Sequence, residues 1–203
     1  MADEPPVETL IDPTTLGDEP ATKTTSTKAS NRKVLMEWVV IIVIAVVASL
    51  LVRTFVFQTY FIPSASMEPT LHIGDRIIIN KLSVDFGTIH TGDIVVFKAP
   101  PAENCGTKVA DLVKRVIGVP GDRLTSKANT IYINGKPLDE TWPHDEPLGT
   151  PIGNVTVKPG QYFVMGDNHP DSCDSRYWGT VPRSDIIGKA FVRIWPLSRI
   201  GFL

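Results

Sequence analysis

Residues 112–122 read LVKRVIGVPGD. Leu112–Val119 is a short run rich in β-branched and aliphatic residues. It is closed by Pro120-Gly121-Asp122, a set of turn formers, and this is the pattern of a strand. Side chains alternate along a strand, so Lys114 shares a face with Leu112, Val116 and Gly118. Arg115 points the other way, with Val113 and Ile117. The same pattern recurs on both sides. Arg76–Asn80, Ile94–Lys98, Thr130–Ile133, Gln161–Met165 and Lys189–Trp195 read as strands separated by turn signals. Asn134-Gly135 is a two-residue hairpin turn and Pro159-Gly160 a further turn. No segment after residue 60 carries a helical period, so residues 54–203 are expected to be mainly β. Within them, residues 123–157 read as a peripheral hairpin insertion. Its stretch 137–154, PLDETWPHDEPLGTPIGN, is dominated by proline and acid and reads as a long surface loop.

The chain before residue 54 is of a different kind. Residues 34–52, VLMEWVVIIVIAVVASLLV, carry one charge, Glu37, and would make roughly 28 Å of helix, about the thickness of a bilayer's hydrocarbon core. A cleavable signal peptide has a shorter apolar core ending in small residues. This run exits into Arg53-Thr54-Phe55-Val56-Phe57, so residues 34–53 read as a stable transmembrane helix. Residues 1–33 are rich in proline, threonine and acid and read as a disordered tail. Lys23, Lys28, Arg32 and Lys33 precede the helix closely, whereas Arg53 alone follows at once. The bias places the N-terminus in the cytoplasm and residues 54–203 outside, a single-pass arrangement in the cell membrane. The segment after the helix, TFVFQTYFI at 54–62, fits a core strand or a surface dipping into the interface; the second is the favoured reading.

The formal net charge of −2 gives no basic surplus to neutralise phosphates, which argues against a nucleic-acid-binding protein. Among 203 residues there is no phosphate-cradling glycine loop and no histidine/cysteine cluster with metal-ligand spacing. No metal and no organic cofactor is implied.

Three polar blocks remain. The first, FIPSASMEPTL at 61–71, sets Ser64 and Ser66 in a proline-bounded loop. A serine there is usually a turn former, and as a nucleophile it needs a base. None of the four histidines lies in a familiar acyl-transfer motif, and there is no G-x-S-x-G elbow. Lys114 is the other candidate base. On a buried aliphatic face desolvation lowers its pKa, and a fall of about 2–3 from roughly 10.4 makes it effective near neutral pH. A lysine snorkelling to solvent is the alternative. The third block, MGDNHPDSCDSRYWGTVP at 165–182, packs Asp167, Asp171, Asp174 and Arg176 with Ser172 and Ser175. Taken alone it is an Asx-rich turn.

Together these blocks change the reading. PSASMEPTL at 63–71, GDRIIINKL at 74–82, VKRVIGVPGD at 113–122 and GDNHPDSCDSRYWGTVP at 166–182 stand in an order and spacing that resemble the bacterial type I signal peptidases. These are serine proteases of peptidase family S26 with a Ser/Lys dyad. The resemblance covers most of residues 57–195. It implies a signal-peptidase-like β-sheet catalytic domain behind one membrane anchor. It implies Ser66 as nucleophile and Lys114 as general base, with the Ser66 N–H and Ser64 hydroxyl as oxyanion hole. Met67 is expected to line the substrate groove, and Ser172 to hydrogen-bond and orient Lys114. Asp174, Arg176 and Gly166 are expected to support the site, and Arg115 with Asp167 to form a structural ion pair. The implied partners are secretory preproteins with small residues near the cleaved bond, lying extended along a strand edge, and the lipid bilayer. A silent peptide-binding protein and a specialised maturase are the other readings. The chain departs from the family where His169-Pro170-Asp171 replaces the usual Arg-Asp-Asn, and His169 reads as a surface residue. Two cysteines in an exported domain suggest one disulfide, Cys105–Cys173.

Overall fold

In the computed structural model, which describes residues 28–103, 105 and 109–203, the LVKRVIG run belongs to strand Asp111–Gly118, an inner strand of an antiparallel sheet. In chain order the strands are β1 (Phe57–Phe61), β2 (Arg76–Asn80), β3 (Ile94–Lys98), β4 (Asp111–Gly118), β5 (Arg123–Lys127), β6 (Thr130–Ile133), β7 (Lys136–Pro137), β8 (Val155–Thr156), β9 (Gln161–Met165), β10 (Val181–Pro182), β11 (Ile186–Trp195) and β12 (Gly201–Phe202). The helices are α1 (Lys28–Phe55), α2 (Leu82–Asp85) and α3 (Ser175–Trp178). The main sheet runs β1-β2-β11-β3-β4-β9-β10, with β12 on β11; a second sheet runs β7-β6-β5-β8. The chain is mainly β.

Helix α1 extends past both ends of the expected span 34–53. Its window Arg32–Arg53, 22 residues with mean hydropathy 2.8, is long and apolar enough to cross a membrane. Of the tail expected over 1–33, residues 1–27 lie outside the described residues, and residues 28–33 belong to α1.

Alternation explains how the main sheet is covered on both faces. On β3, Val95 and Phe97 pack with Val116, Tyr162 and Val164, whereas Ile94 and Val96 pack with Ile77, Ile79, Leu71 and Met67. A strand buried on both faces reads as a continuous apolar run, which Ile94–Phe97 is. The second sheet closes a third cluster, in which Leu124 and Ile131 meet Ile117, Phe163 and Met165. Asn134 and Gly135, at φ of 53° and 80°, form the tight turn from β6 to β7 that their sequence predicts. Of the segment 54–62, Phe57–Phe61 forms edge strand β1, paired in register with β2, with Phe57 and Phe61 exposed, and the segment's first two residues end α1.

Stretch 137–154 is the largely exposed loop that its composition suggests, but it is pinned to the domain at several points. Leu148 and Ile152 are buried in the third cluster, and Leu138 and Trp142 pack against it. A few apolar anchors spaced among prolines and acids escape a composition average, yet each buries enough area to fix the segment.

Candidate active site

The loop between β1 and β2 is held from below by its own apolar residues. Met67 and Leu71 are buried, and Leu71 N–H donates to the Met67 carbonyl. Two backbone bonds close its base, Ile62 N–H to Asp75 O and Gly74 N–H to Ile62 O, both 2.9 Å. Ser66 is thereby presented upward, and Lys114 Nζ donates to its Oγ at 2.6 Å. Ser64 Oγ lies 3.4 Å from Ser66 Oγ. Among the described residues no histidine hydrogen-bonds to the Ser66 hydroxyl.

Lys114 reaches this point from β4, where register sets it opposite Val95, on the face of the first cluster. It is 3% exposed. Burial pulls its amine down from 10.5 to about 8, opposed by the nearby Asp174 carboxylate and helped by the Arg176 cation. Its neighbour Arg115 points the other way, as alternation requires. Arg115 donates from Nε and Nη2 to the two Asp167 oxygens at 2.8 and 2.6 Å, and both residues are buried. Asp167 also accepts from Thr70 Oγ1, which ties this pair to the serine loop.

The 166–178 segment forms the other wall. Asn168 donates from its backbone N–H to Ser66 O and from Nδ2 to Ala65 O, both at 3.2 Å. Gly166 passes so close that a Cβ there would stand 2.2 Å from Ser66 O and 2.4 Å from Ser172 Oγ. Asp174 caps α3 through the Arg176 N–H and pairs with the Arg176 guanidinium at 2.7 and 2.8 Å. Arg176 in turn gathers the carbonyls of Leu148, His169 and Ser172. Cys105 and Cys173 are joined by a disulfide.

A cavity of about 550 Å³ opens beside Ser66. One side is the Ile62–Met67 loop and the other is Asp111–Lys114 of β4. β9 pairs with β4 only from Arg115 to Gly118, so the Asp111–Lys114 edge on that side is left to the cavity. Met67 contributes to the lining although nearly all of it is covered.

Residues 35–195 match the family described as signal peptidase, peptidase S26. The chain belongs to that family. Among its S26 relatives, a probable signal peptidase I-2 of Synechocystis sp. is 45% identical, over 79% of this chain and 73% of its own length. A signal peptidase I of Mycobacterium tuberculosis is 39% identical, over 98% of this chain and 85% of its own. A crystal structure of a signal peptidase I from Enterococcus faecalis is 30% identical and covers 50% of this chain and 96% of its own, at a TM-score of 0.42.

Of the site residues expected from sequence, Lys114 and Ser64 lie against the Ser66 hydroxyl, Gly166 lies against the Ser66 carbonyl, and Ser172 and Asp174 both accept from the Gly166 N–H. Two expectations need correction. Ser172 Oγ accepts the Gly166 N–H at 3.2 Å, and among the described residues it makes no hydrogen bond to Lys114, whose Nζ donates to Ser66. His169 is not on the surface: it is 3% exposed, beneath the insertion loop. Asn168 and Thr70 give no such signal in the sequence. Both stand inside quoted motifs, but nothing local says that an asparagine amide or a threonine hydroxyl will find a partner about a hundred residues away.

Proposed function

We propose that the chain is a membrane-anchored serine endopeptidase, a signal peptidase I, that removes N-terminal signal peptides from exported preproteins. The observation that carries this reading is the 2.6 Å contact between Ser66 Oγ and a buried Lys114 whose amine titrates near 8. A lysine at its ordinary value is a permanent cation near neutral pH, whereas one pulled down this far is in part a free base.

Neutral Lys114 takes the Ser66 proton as Oγ attacks the scissile carbonyl. The oxyanion is met by the Ser66 N–H and the Ser64 hydroxyl. The resulting Lys114 ammonium protonates the departing amine, leaving an ester on Ser66. A water, deprotonated by Lys114, then hydrolyses that ester and regenerates the serine. Asp174 supports the ammonium form during these steps and Arg176 fixes Asp174. The open Asp111–Lys114 edge and the facing Ile62–Ala65 segment fit an extended peptide bound by backbone pairing, and its side chains would alternate into the cavity. The relatives named signal peptidase I support preproteins that carry a signal peptide as the substrate class.

In this reading the Arg32–Arg53 window anchors the chain in the cell membrane as a single pass, with a cytoplasmic N-terminus and an extracytoplasmic peptidase domain at 54–203. Such an anchor ties the peptidase domain to the membrane that exported preproteins cross. Full-length Ser66→Ala and Lys114→Ala should insert into membranes normally and fail to cleave a preprotein. Cleavage by either would refute the dyad.

A further inference from the structure

The insertion between β5 and β8 returns to the peptidase loops along one seam. Asp145 N–H donates to Asp167 O at 2.8 Å, and Asp145 forms a parallel bridge with Asn168. Trp142 covers the Arg115 guanidinium at 4.9 Å, and Arg176 binds the Leu148 carbonyl. At the centre of the seam is His169, where the family pattern has arginine. Its Nε2 lies 3.4 Å from Glu140 Oε1, and the two side chains are 2% and 9% exposed. The His169 ring stacks on His144 at 5.3 Å. Among the described residues neither His169 Nδ1 nor Glu140 Oε1 has a hydrogen-bond partner. A buried acid and imidazole without full hydrogen bonding are a poor source of stability, since desolvation cancels their attraction. A role in fixing position accounts for them better.

We propose that His169, paired with Glu140, is a positioning residue that holds the Asn168–Ser172 turn against the nucleophile loop, so that the insertion contributes to the catalytic rate. The inference rests on the Ser66/Lys114 reading above. His169–Asp171 is a single 3-10 turn, stiffened by Pro170 and capped by the Asn168 side chain. One residue before His169, Asn168 holds the carbonyls of Ala65 and Ser66. Three residues after it, Ser172 holds the Gly166 N–H. The His169 carbonyl itself accepts from Arg176 Nη2 at 2.8 Å. A shift of His169 is therefore passed to both sides of the Ser66–Lys114 contact. Arginine at this position would reach Glu140 on a longer arm; histidine reaches it with a shorter ring, stacked on His144.

The test uses the full-length chain in detergent and an internally quenched peptide with an Ala-x-Ala sequence before the cleaved bond. Values of kcat and KM are compared for His169→Gln, Glu140→Gln, the double variant and His169→Arg, each at a temperature where thermal melting shows it folded. Each single glutamine variant should lose roughly tenfold in kcat, with KM within about twofold. The double variant should lose no more than the worse single one, because one contact is lost in all three. His169→Arg, which keeps N–H donors within reach of Glu140, should recover most of the rate. The proposal is overturned if kcat is unchanged, if melting temperature alone falls, if the single losses multiply in the double variant, or if His169→Arg is no better than His169→Gln. Ser66→Ala is run beside them: cleavage by that variant overturns the dyad reading, independently of how the His169 series behaves.

Discussion

Lys114 Nζ donates to Ser66 Oγ across 2.6 Å, although 48 residues separate the two in the chain. Neither element could make this contact alone. β4 fixes the lysine through its pairing with β3, and the serine loop is fixed by Met67 and Leu71 beneath it. Asn168 then locks the loop to the far wall.

Cleavage should rise with pH through about 8 and level off above it, since the neutral amine is the active form. The profile of kcat/KM against pH reads this directly. Stability should follow the same window. The folded value lies below the unfolded one, so the unfolded chain holds the proton more tightly, and stability rises between about 8 and 10.5. Below 8 the full cost of the buried ammonium is present. Lys114→Met should therefore be inactive and yet more stable at pH 7, by an amount on the order of 3 kcal/mol in urea unfolding.

Gly166→Ala should abolish cleavage. The new methyl would meet the Ser66 carbonyl at 2.2 Å, and that backbone oxygen cannot move without moving the nucleophile. A loss above about 10²-fold in kcat is expected, with roughly 1–3 kcal/mol of destabilisation from overpacking. Wild-type kcat would show that the serine loop tolerates displacement.

Ser64→Ala should keep substrate binding and lose about 10²–10³ in kcat, as for removal of one oxyanion donor. The measurement is single-turnover cleavage at saturating peptide. A change confined to KM would assign Ser64 to substrate binding.

Asp167→Ala should be among the most destabilising single changes in the molecule. It strands a buried Arg115 that now makes two bonds to the carboxylate, a cost of about 3–5 kcal/mol. The urea midpoint of the variant reports it. Arg115→Lys should not be tolerated as conservative, because an ammonium cannot reproduce the paired geometry.

Reduction of Cys105–Cys173 should lower the melting temperature. The bridge closes a 68-residue separation, worth about 4 kcal/mol in the chain-entropy account. Thiol labelling of the native, unreduced protein should modify neither cysteine.

Much of this was legible residue by residue. Arg76–Asn80, Ile94–Lys98, Thr130–Ile133 and Gln161–Met165 are strands with the bounds their apolar runs suggest; in Ile94–Lys98 and Gln161–Met165 the run is continuous because the strand is buried on both faces. β5, with Arg123, Thr125, Ser126 and Lys127, carries too little apolar signal to be read; its pairing with β6 and β8 makes it a strand. Ser66, Lys114 and the acidic loop stand out in the motifs, and the fold brings Lys114 to Ser66. Asn168, Thr70 and the buried position of His169 were not legible, since each depends on a partner brought from elsewhere in the chain.

Sequence by itself determined the strand grammar, the apolar helix, the family and the residue types available for chemistry, because these follow from local periodicity and from motif order. Tertiary structure decided which of those residues act together. The amine of Lys114 is pulled down by burial that no flanking residue supplies alone, and the Ser172 hydroxyl turns to Gly166 because the missing side chain there admits it. His169 is covered only because the insertion folds back over it. Desolvation and close packing are properties of the assembled surroundings, so they cannot be read from the order of residues along the chain.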